Sequence, residues 1–298
     1  MFNLIKSRKI WYIVSILSIV VAVFAIIFFG LRVGVDYTGG TILDIKSSNT
    51  DFVNIIESKL TEQGITSFQI KPSGNELFTI KTKALSNEEK NKLVASIQSV
   101  APDATESSFD SIGPTVGKDL TNKSILAVIV ASLAIILFIS FSFRRIPKPL
   151  SSWKFGVLAV AALAHDLLIV TGFVAILGHF FIWMEVDALF ITALLTIMGF
   201  SVHDTIVIYD RLRENFIRNR HKSIEQVAEE SVNQTMARSI NTSLVTIIVL
   251  LSLLLLGGTP IRHFVLVLMF GIFIGTYSSI FVAAPLVVSW HKNLDSNR

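Results

Sequence analysis

The chain has 298 residues, 52% of them hydrophobic and only 16% charged, with a mean hydropathy of +0.64; a soluble globular fold could not bury that much apolar surface, so a polytopic membrane protein is predicted. The formal net charge of +4 does not point to nucleic acid, because the basic residues cluster beside apolar runs, where they set membrane orientation. With no cysteine, disulfides and thiolate metal sites are excluded.

Lys6, Arg8 and Lys9 precede the first apolar run, residues 10–29. Its length suffices to cross about 30 Å of hydrocarbon, and the following "FFGLRVGVD" has no small-x-small cleavage site, so the run reads as a retained signal anchor. Next, "VGVDYTGGT" places Gly39 and Gly40 where the chain enters a first strand, as a turn needing positive φ or as a hinge.

Residues 31–123 have the pattern of an α+β domain. "GTILDIKSS" alternates as a strand, and "TDFVNIIESKLTEQG" has a Thr or Asp cap, apolar residues at helical spacing and a stop at Gly64. Two strands follow around a Pro-Ser-Gly-Asn turn, then a helix with Ser86 and Glu89 in capping-box spacing, then "ATESSFDSIG". The order βαββαβ predicts a split-βαβ, ferredoxin-like domain. With neither histidine nor a glycine-rich phosphate loop, binding or leverage suits it better than catalysis, and no cofactor or metal is expected.

Five more apolar runs, residues 124–143, 155–177, 186–209, 240–256 and 264–290, bring the prediction to six transmembrane helices. Arg144, Arg145, Lys148 and Lys154 lie between the second and third spans, and Arg211, Arg213, Arg218, Arg220 and Lys222 follow the fourth, while the opposite short loops carry only Arg262. By the positive-inside rule both termini are cytoplasmic and residues 31–123 extracytoplasmic, since a long loop largely escapes that rule. The expected division is 1–30 (N-terminus and first span), 31–123 (the α+β domain) and 124–298 (the remaining spans).

Ionisable residues within a span cost about 2.5–3.5 kcal/mol on insertion scales and usually face the bundle interior. Asp166 in "AALAHDLLIV" lies mid-span and Asp204 in "SVHDTIVIYD" lies near the cytoplasmic end of the fourth, each after a histidine, His165 and His203. Arg238 opens the fifth span, with Asn241, Thr242 and Thr246 continuing its side as a polar stripe. The hairpin of spans four and five makes an Asp204–Arg238 pair geometrically cheap, and a carboxyl whose partner moves can be switched between ionisation states. Asp210, Arg211, Arg213 and Glu214 read as interfacial charges that pair locally. Gly271, Gly275 and Ser279 recur every four residues in the sixth span, a stripe for close helix approach, and Pro285 is expected to kink the helix.

Four stretches in this order, "GVDYTGGT", "LAHDLLIVTG", "GFSVHDTIVIYDRLREN" and "ARSINTS", resemble the motifs of the SecF family, the smaller membrane subunits of the bacterial SecD/SecF protein-export complex. The likeness covers nearly the whole chain. It implies a non-enzymatic subunit of the resistance-nodulation-division superfamily in the bacterial inner membrane, partnered by a SecD-like protein, the SecYEG channel and YajC. Such a subunit uses the proton gradient to draw preproteins across after the SecA motor has pushed them. The family's membrane aspartate and arginine fall on Asp204 and Arg238, its further proton-path carboxylate lies on SecD, and His203 stands where asparagine is usual. A small-molecule exporter of the same superfamily is a rival, although it normally has twelve spans and two large extracytoplasmic domains. An intramembrane aspartyl protease would use two membrane carboxylates, but the Tyr209-Asp210 dipeptide lies at the membrane edge and the Gly-x-Gly-Asp motif is missing. A passive scaffold, with every charge structural, is the last alternative.

Overall fold

The computed structural model describes residues 3–49, 51–72, 76–144, 151–181, 183–219, 221–258 and 261–295. The predicted turn beyond Pro72, the Thr50 cap, and the basic residues Arg145, Lys148 and Arg220 lie outside them. The chain forms two compact units, one of Met1–Arg32 with Leu126–Arg298 and the other of Val33–Ile125.

The smaller unit starts with a one-turn helix, α2 (Val35–Thr38), after the long α1 (Arg8–Phe29). It continues as β1 (Gly40–Lys46), α3 (Phe52–Glu62), β2 (Phe68–Pro72), β3 (Leu77–Thr82), α4 (Asn87–Gln98) and β4 (Thr105–Ile112). The strands pair antiparallel in the order β2-β3-β1-β4, the arrangement that two interleaved split-βαβ units produce. Leu43, Ile45 and Ile80 from the sheet pack with Phe52, Ile56 and Leu60 of α3 and Leu93 and Ile97 of α4. Each such buried side chain contributes about 1.5–3 kcal/mol relative to exposure. Pleating turns Asp44 to the other face, where it accepts from its cross-strand neighbours, Thr79 Oγ1 at 2.6 Å and Ser108 Oγ at 2.7 Å. The expected capping box opens α4: the Glu89 amide donates to Ser86 Oγ at 3.3 Å and the Ser86 amide to Glu89 Oε2 at 2.8 Å. Asp51 holds the N-cap position of α3 without a side-chain cap bond, and Gly64, at φ 73°, follows the C-cap Gln63.

Gly39 is the C-cap of α2 and Gly40 opens β1. Their φ values of 74° and 151° suit glycine, and a Cβ on Gly39 would meet the Pro114 backbone 2.9 Å away.

Among the described residues six helices are long and apolar enough to cross a membrane: α1, α5 (Pro114–Ser142), α6 (Ser152–Phe180), α7 (Ala188–Arg218), α8 (Ile224–Leu256) and the run Arg262–His291. That run comprises α9 (Arg262–Ser278), a π-helical turn (Ser279–Ala283) and the start of α10 (Ala284–Asp295). Several helices outrun their apolar segments: α8 starts at Ile224 rather than 240, and α7 ends at Arg218 rather than 209. Hydropathy marks the part suited to hydrocarbon, whereas backbone hydrogen bonding continues until a cap stops it, here the unforeseen capping box of Ser223 and Gln226 at the start of α8.

Half or more of the apolar windows of α6, α7 and the last run is buried, against 17%, 6% and 11% for α1, α5 and α8; α6, α7 and α9 are therefore the core and the other three its rim. Close approach explains which helices pair. Gly172 of α6 lies against Ala22 of α1, Gly271 against Ile197 of α7 and Gly275 against Ser201, while Ser279 Oγ bonds Thr205 Oγ1 at 2.9 Å. The predicted stripe on the sixth span thus meets one of equal spacing on α7, as a small-residue seam requires. The helix adapts to Pro285 through the π turn before it, where Tyr209 Oη donates to the Ala283 carbonyl at 3.3 Å.

Candidate functional site

Asp166 and Asp204 occupy the core seam but have separate surroundings. Asp166, on α6, is fully buried. Its Oδ2 accepts from Ser201 of α7 at 2.6 Å and from Ser278 of α9 at 2.7 Å, and its Oδ1 lies 2.9 Å from Nδ1 of His165. One carboxyl thus ties three helices together, and two serines that apolar patterning ignores supply the donors. His165 is buried and faces the Tyr277 ring, with 6.3 Å between centroids, and its Nε2 has no hydrogen-bond partner among the described residues. Tyr277 Oη is 3.1 Å from Ser15 Oγ of α1.

Asp204 is one turn beyond Ser201 on α7 and is 6% exposed. It interacts with His203 and with the hydroxyls of Ser239 and Ser243 on α8 and Thr276 on α9. Ser243 and Thr276 are hydrogen-bonded to each other, while Ser239 Oγ has no hydrogen bond of regular geometry. His203 is exposed, its Nδ1 3.9 Å from Asp204 Oδ1. The two His-Asp pairs are therefore unlike, one closed inside the bundle and the other with its imidazole on the surface. They do not meet directly; Ser201, three residues before Asp204 on α7, relates them.

The expected Asp204–Arg238 ion pair does not form. Arg238 is exposed and has no carboxylate within ion-pair distance among the described residues. The register of α8 explains this, because its buried polar residues are Ser231, Thr235, Ser239 and Ser243, four apart, so that the hydroxyl row rather than the arginine faces α7 and α9. Asn241 and Thr242 are exposed and Thr246 is half-buried. The two threonines donate to carbonyls four residues back, Thr242 to Arg238 at 2.9 Å and Thr246 to Thr242 at 3.0 Å. The predicted polar stripe is thus displaced one residue from the one that enters the core. The spacing of Ser231, Thr235, Ser239 and Ser243 was the signal that finds it.

Arg238 instead lines a cleft of about 550 Å³ with Asp210, Arg211, Arg213 and Glu214 of α7, Gln234 and Thr235 of α8, Phe138 of α5 and Phe143 just beyond it. The charges on α7 pair locally as expected, Arg213 with Asp210 at 3.2 Å and Arg211 with Glu214. At the other end of α7 the Asp187 carboxylate accepts from the Phe190 amide at 2.8 Å and lies 2.9 Å from His263 Nε2. That second contact is at ion-pair distance but off the hydrogen-bond direction. Burial opposes ionisation of Asp187, yet the neighbouring His263 and the Phe190 amide outweigh it and hold the carboxyl below its ordinary range.

A family model described as "Protein export membrane protein SecD/SecF, C-terminal" matches residues 92–293. The protein translocase subunit SecF of Thermobaculum terrenum is 41% identical, covering 98% of this chain and 95% of that protein. The protein translocase subunit SecDF of Thermus thermophilus is 36% identical over 88% of this chain, which spans 35% of that longer protein. The crystal structure of SecDF from Thermus thermophilus, a translocon-associated membrane protein, aligns with a TM-score of 0.83 at 33% identity, covering 98% of this chain and 39% of that one. SecDF in its super-membrane-facing form aligns at 0.71. Likeness in sequence along nearly the whole length and in fold leads to one conclusion: the chain belongs to the SecD/SecF family of protein export membrane proteins, as a SecF-type translocase subunit.

Proposed function

We propose that this subunit couples proton flow through its helical bundle to a conformational change that helps draw preproteins across the bacterial inner membrane. Both termini then face the cytoplasm and residues 31–123 lie outside. The observation that carries the reading is the place of Asp204: an ionisable group inside an apolar bundle, at the meeting of α7, α8 and α9, surrounded by hydroxyls that can donate to a carboxylate or accept from a carboxylic acid. Losing or gaining a proton there changes what those hydroxyls must do, and so biases the α7–α8–α9 packing. Moving one charge through 100 mV is worth about 2.3 kcal/mol, enough to shift a two-state element substantially.

Arg238 takes part from the rim. Exposed beside the cleft, it is free to pair with a carboxylate of a SecD-like partner or to approach Asp204 when α8 moves. Relatives named SecDF, in which this chain matches just over a third of a longer protein, support that partner; the SecYEG channel and YajC follow from the family resemblance. Asp166 and His165 form a second proton-holding group on the same seam, with His203 at the surface end. A role as an aspartyl protease is disfavoured because the two carboxyls have separate partners, whereas such an enzyme needs them to share a proton.

The test is Asp204→Asn in vesicles containing the subunit, its SecD-like partner and the channel. Proton flux and gradient-dependent export should both fall to background while the ATP-driven part of export persists; unchanged flux would refute the proposal.

A further inference from the structure

On the reading above, a change around Asp204 in the bundle has to reach the Val33–Ile125 unit, and α1 is joined to that unit along the chain by residues 30–32. The turn of residues 4–7, just ahead of α1, is held by α8. The backbone amides of Leu4 and Ile5 donate to the two carboxylate oxygens of Glu229, the latter at 2.8 Å. Arg8 Nη2 reaches Glu225 Oε1, one turn earlier on α8, at 3.0 Å. Asn233 donates to the Glu229 carbonyl at 2.8 Å and lies 3.4 Å from its Oε1, which orients the carboxylate. Leu4 and Ile5 are buried in one cluster with Tyr209 and Leu212 of α7 and Ala228 and Val232 of α8.

This arrangement is a clamp that one helix supplies to the turn leading into another, since α1 itself begins at Arg8. Backbone amides without an internal partner favour an anion placed against them, because charge-assisted hydrogen bonds are the strong ones. The clamp joins two particular elements. Ser239 and Ser243, which face Asp204, stand ten and fourteen residues beyond Glu229 on the same unbroken helix α8, so a rigid rod of about 15–20 Å connects the carboxyl to the clamp. Further along, α1 touches the bundle through Tyr12 and Ser289 at 2.9 Å, through Ser15 and Tyr277 at 3.1 Å, and by the approach of Ala22 to Gly172. The hydroxyl pairs can exchange partners and the glycine contact can slide, whereas Glu229 fixes the turn ahead of α1 to α8 through two charge-assisted bonds.

We infer that Glu229, supported by Glu225, is a positioning residue that transmits displacement of α8 to α1 through the backbone amides of Leu4 and Ile5. It is needed for coupling and not for proton passage. The inference depends on the proton-coupling reading for its purpose, but the clamp can be tested separately.

The experiment uses the full complex of this subunit, its SecD-like partner and the channel, with Glu229→Ala and the milder Glu229→Gln, which keeps one acceptor oxygen. In both variants hydrogen exchange at Leu4 and Ile5 should accelerate, by about tenfold or more in Glu229→Ala. Proton flux should remain at the wild-type level while gradient-dependent translocation falls, by about tenfold in Glu229→Ala and less in Glu229→Gln. A purely structural residue would lower flux and translocation together, and that result overturns the proposal. So does unchanged exchange, or unchanged translocation. If the wild-type complex passes no protons, the coupling reading itself falls, and exchange alone then decides whether the clamp exists.

Discussion

Asp166 and Asp204 look alike in the sequence, each a carboxyl after a histidine in an apolar helix, and their neighbours give them different work. Asp166 is saturated, with two serine donors and an imidazole from three helices, so its loss is felt chiefly in stability. Removing it strands buried donors, at about 1–3 kcal/mol each where they find no other acceptor; Ser278 has one in the Gly275 carbonyl at 3.1 Å. Asp166→Ala should therefore cost about 2 kcal/mol, read as a lower denaturation midpoint of the purified chain in detergent, and Asp166→Asn less because its amide oxygen still accepts. A wild-type midpoint for Asp166→Ala would show that the network does not hold the helices. Asp204, with looser hydroxyl contacts and an exposed histidine beside it, should show the reverse, losing activity more than stability. Both aspartates were legible as exceptions to the apolar pattern, but the partners of each were not: lone serines such as Ser201 and Ser278 carry no sign of the direction they face, and the four-residue spacing that ends in Ser239 and Ser243 marks a row without saying which neighbour it meets.

At the scale of elements, the seam between α7 and α9 and the cap on α7 yield separate predictions. A Cβ on Gly271 would overlap the Ile197 side chain, while one on Gly275 would lie 3.0 Å from Ser201 Cβ. Gly271→Val should then force the helices apart at a cost of about 1–3 kcal/mol, and Gly275→Ala should cost less, as paired thermal denaturation curves will show. For α7, the Asp187 cap is worth about 1 kcal/mol at neutral pH, so Asp187→Ala should lower stability by that amount. Because the folded carboxyl titrates below its unfolded value, that contribution is complete above the unfolded pKa of about 4 and is lost as pH falls through the lower folded value. The gap between wild type and Asp187→Ala should close over that acidic window; a gap independent of pH would refute the account. The glycine stripe was legible because small residues every four positions mean close approach, and the capping box of Ser86 and Glu89 was legible because it is a motif of local chemistry. The stripe beginning at Arg238 was misjudged by one residue. A helix rotates 100° per residue, so Ser239 enters the core and Arg238 does not, and no local rule fixes that rotation.

For the whole molecule, the division into a hydrophobic bundle and a four-stranded α+β unit follows from a composition that changes along the chain. The Val33–Ile125 unit has its own core around Phe52, Ile56, Leu93 and Ile97. A fragment of residues 33–125 should therefore unfold cooperatively as a soluble monomer, monitored by circular dichroism. Within it, Ser86→Ala should lower stability by about 1 kcal/mol through loss of the capping box; a fragment without cooperative unfolding would mean that the unit depends on the bundle. In the bundle, the faces of α5 and α8 that this chain leaves uncovered are apolar enough for lipid, and the α8 face also carries Arg238.

Residue order alone carries the six spans, the βαββαβ order, the capping box at Ser86, the small-residue stripe on the last span and the identity of both membrane carboxyls. Each is written in composition or in spacing along one element, and local backbone geometry turns spacing into a face. Which face meets which neighbour is settled by packing: Asp166 gathers Ser201 and Ser278, Asp204 looks toward Ser239, Ser243 and Thr276, Arg238 stays outside, and Glu229 holds the turn ahead of α1. These depend on the rotation and depth of whole helices, which are set by packing summed over many distant residues and by close approaches such as Gly172 on Ala22 and Gly271 on Ile197.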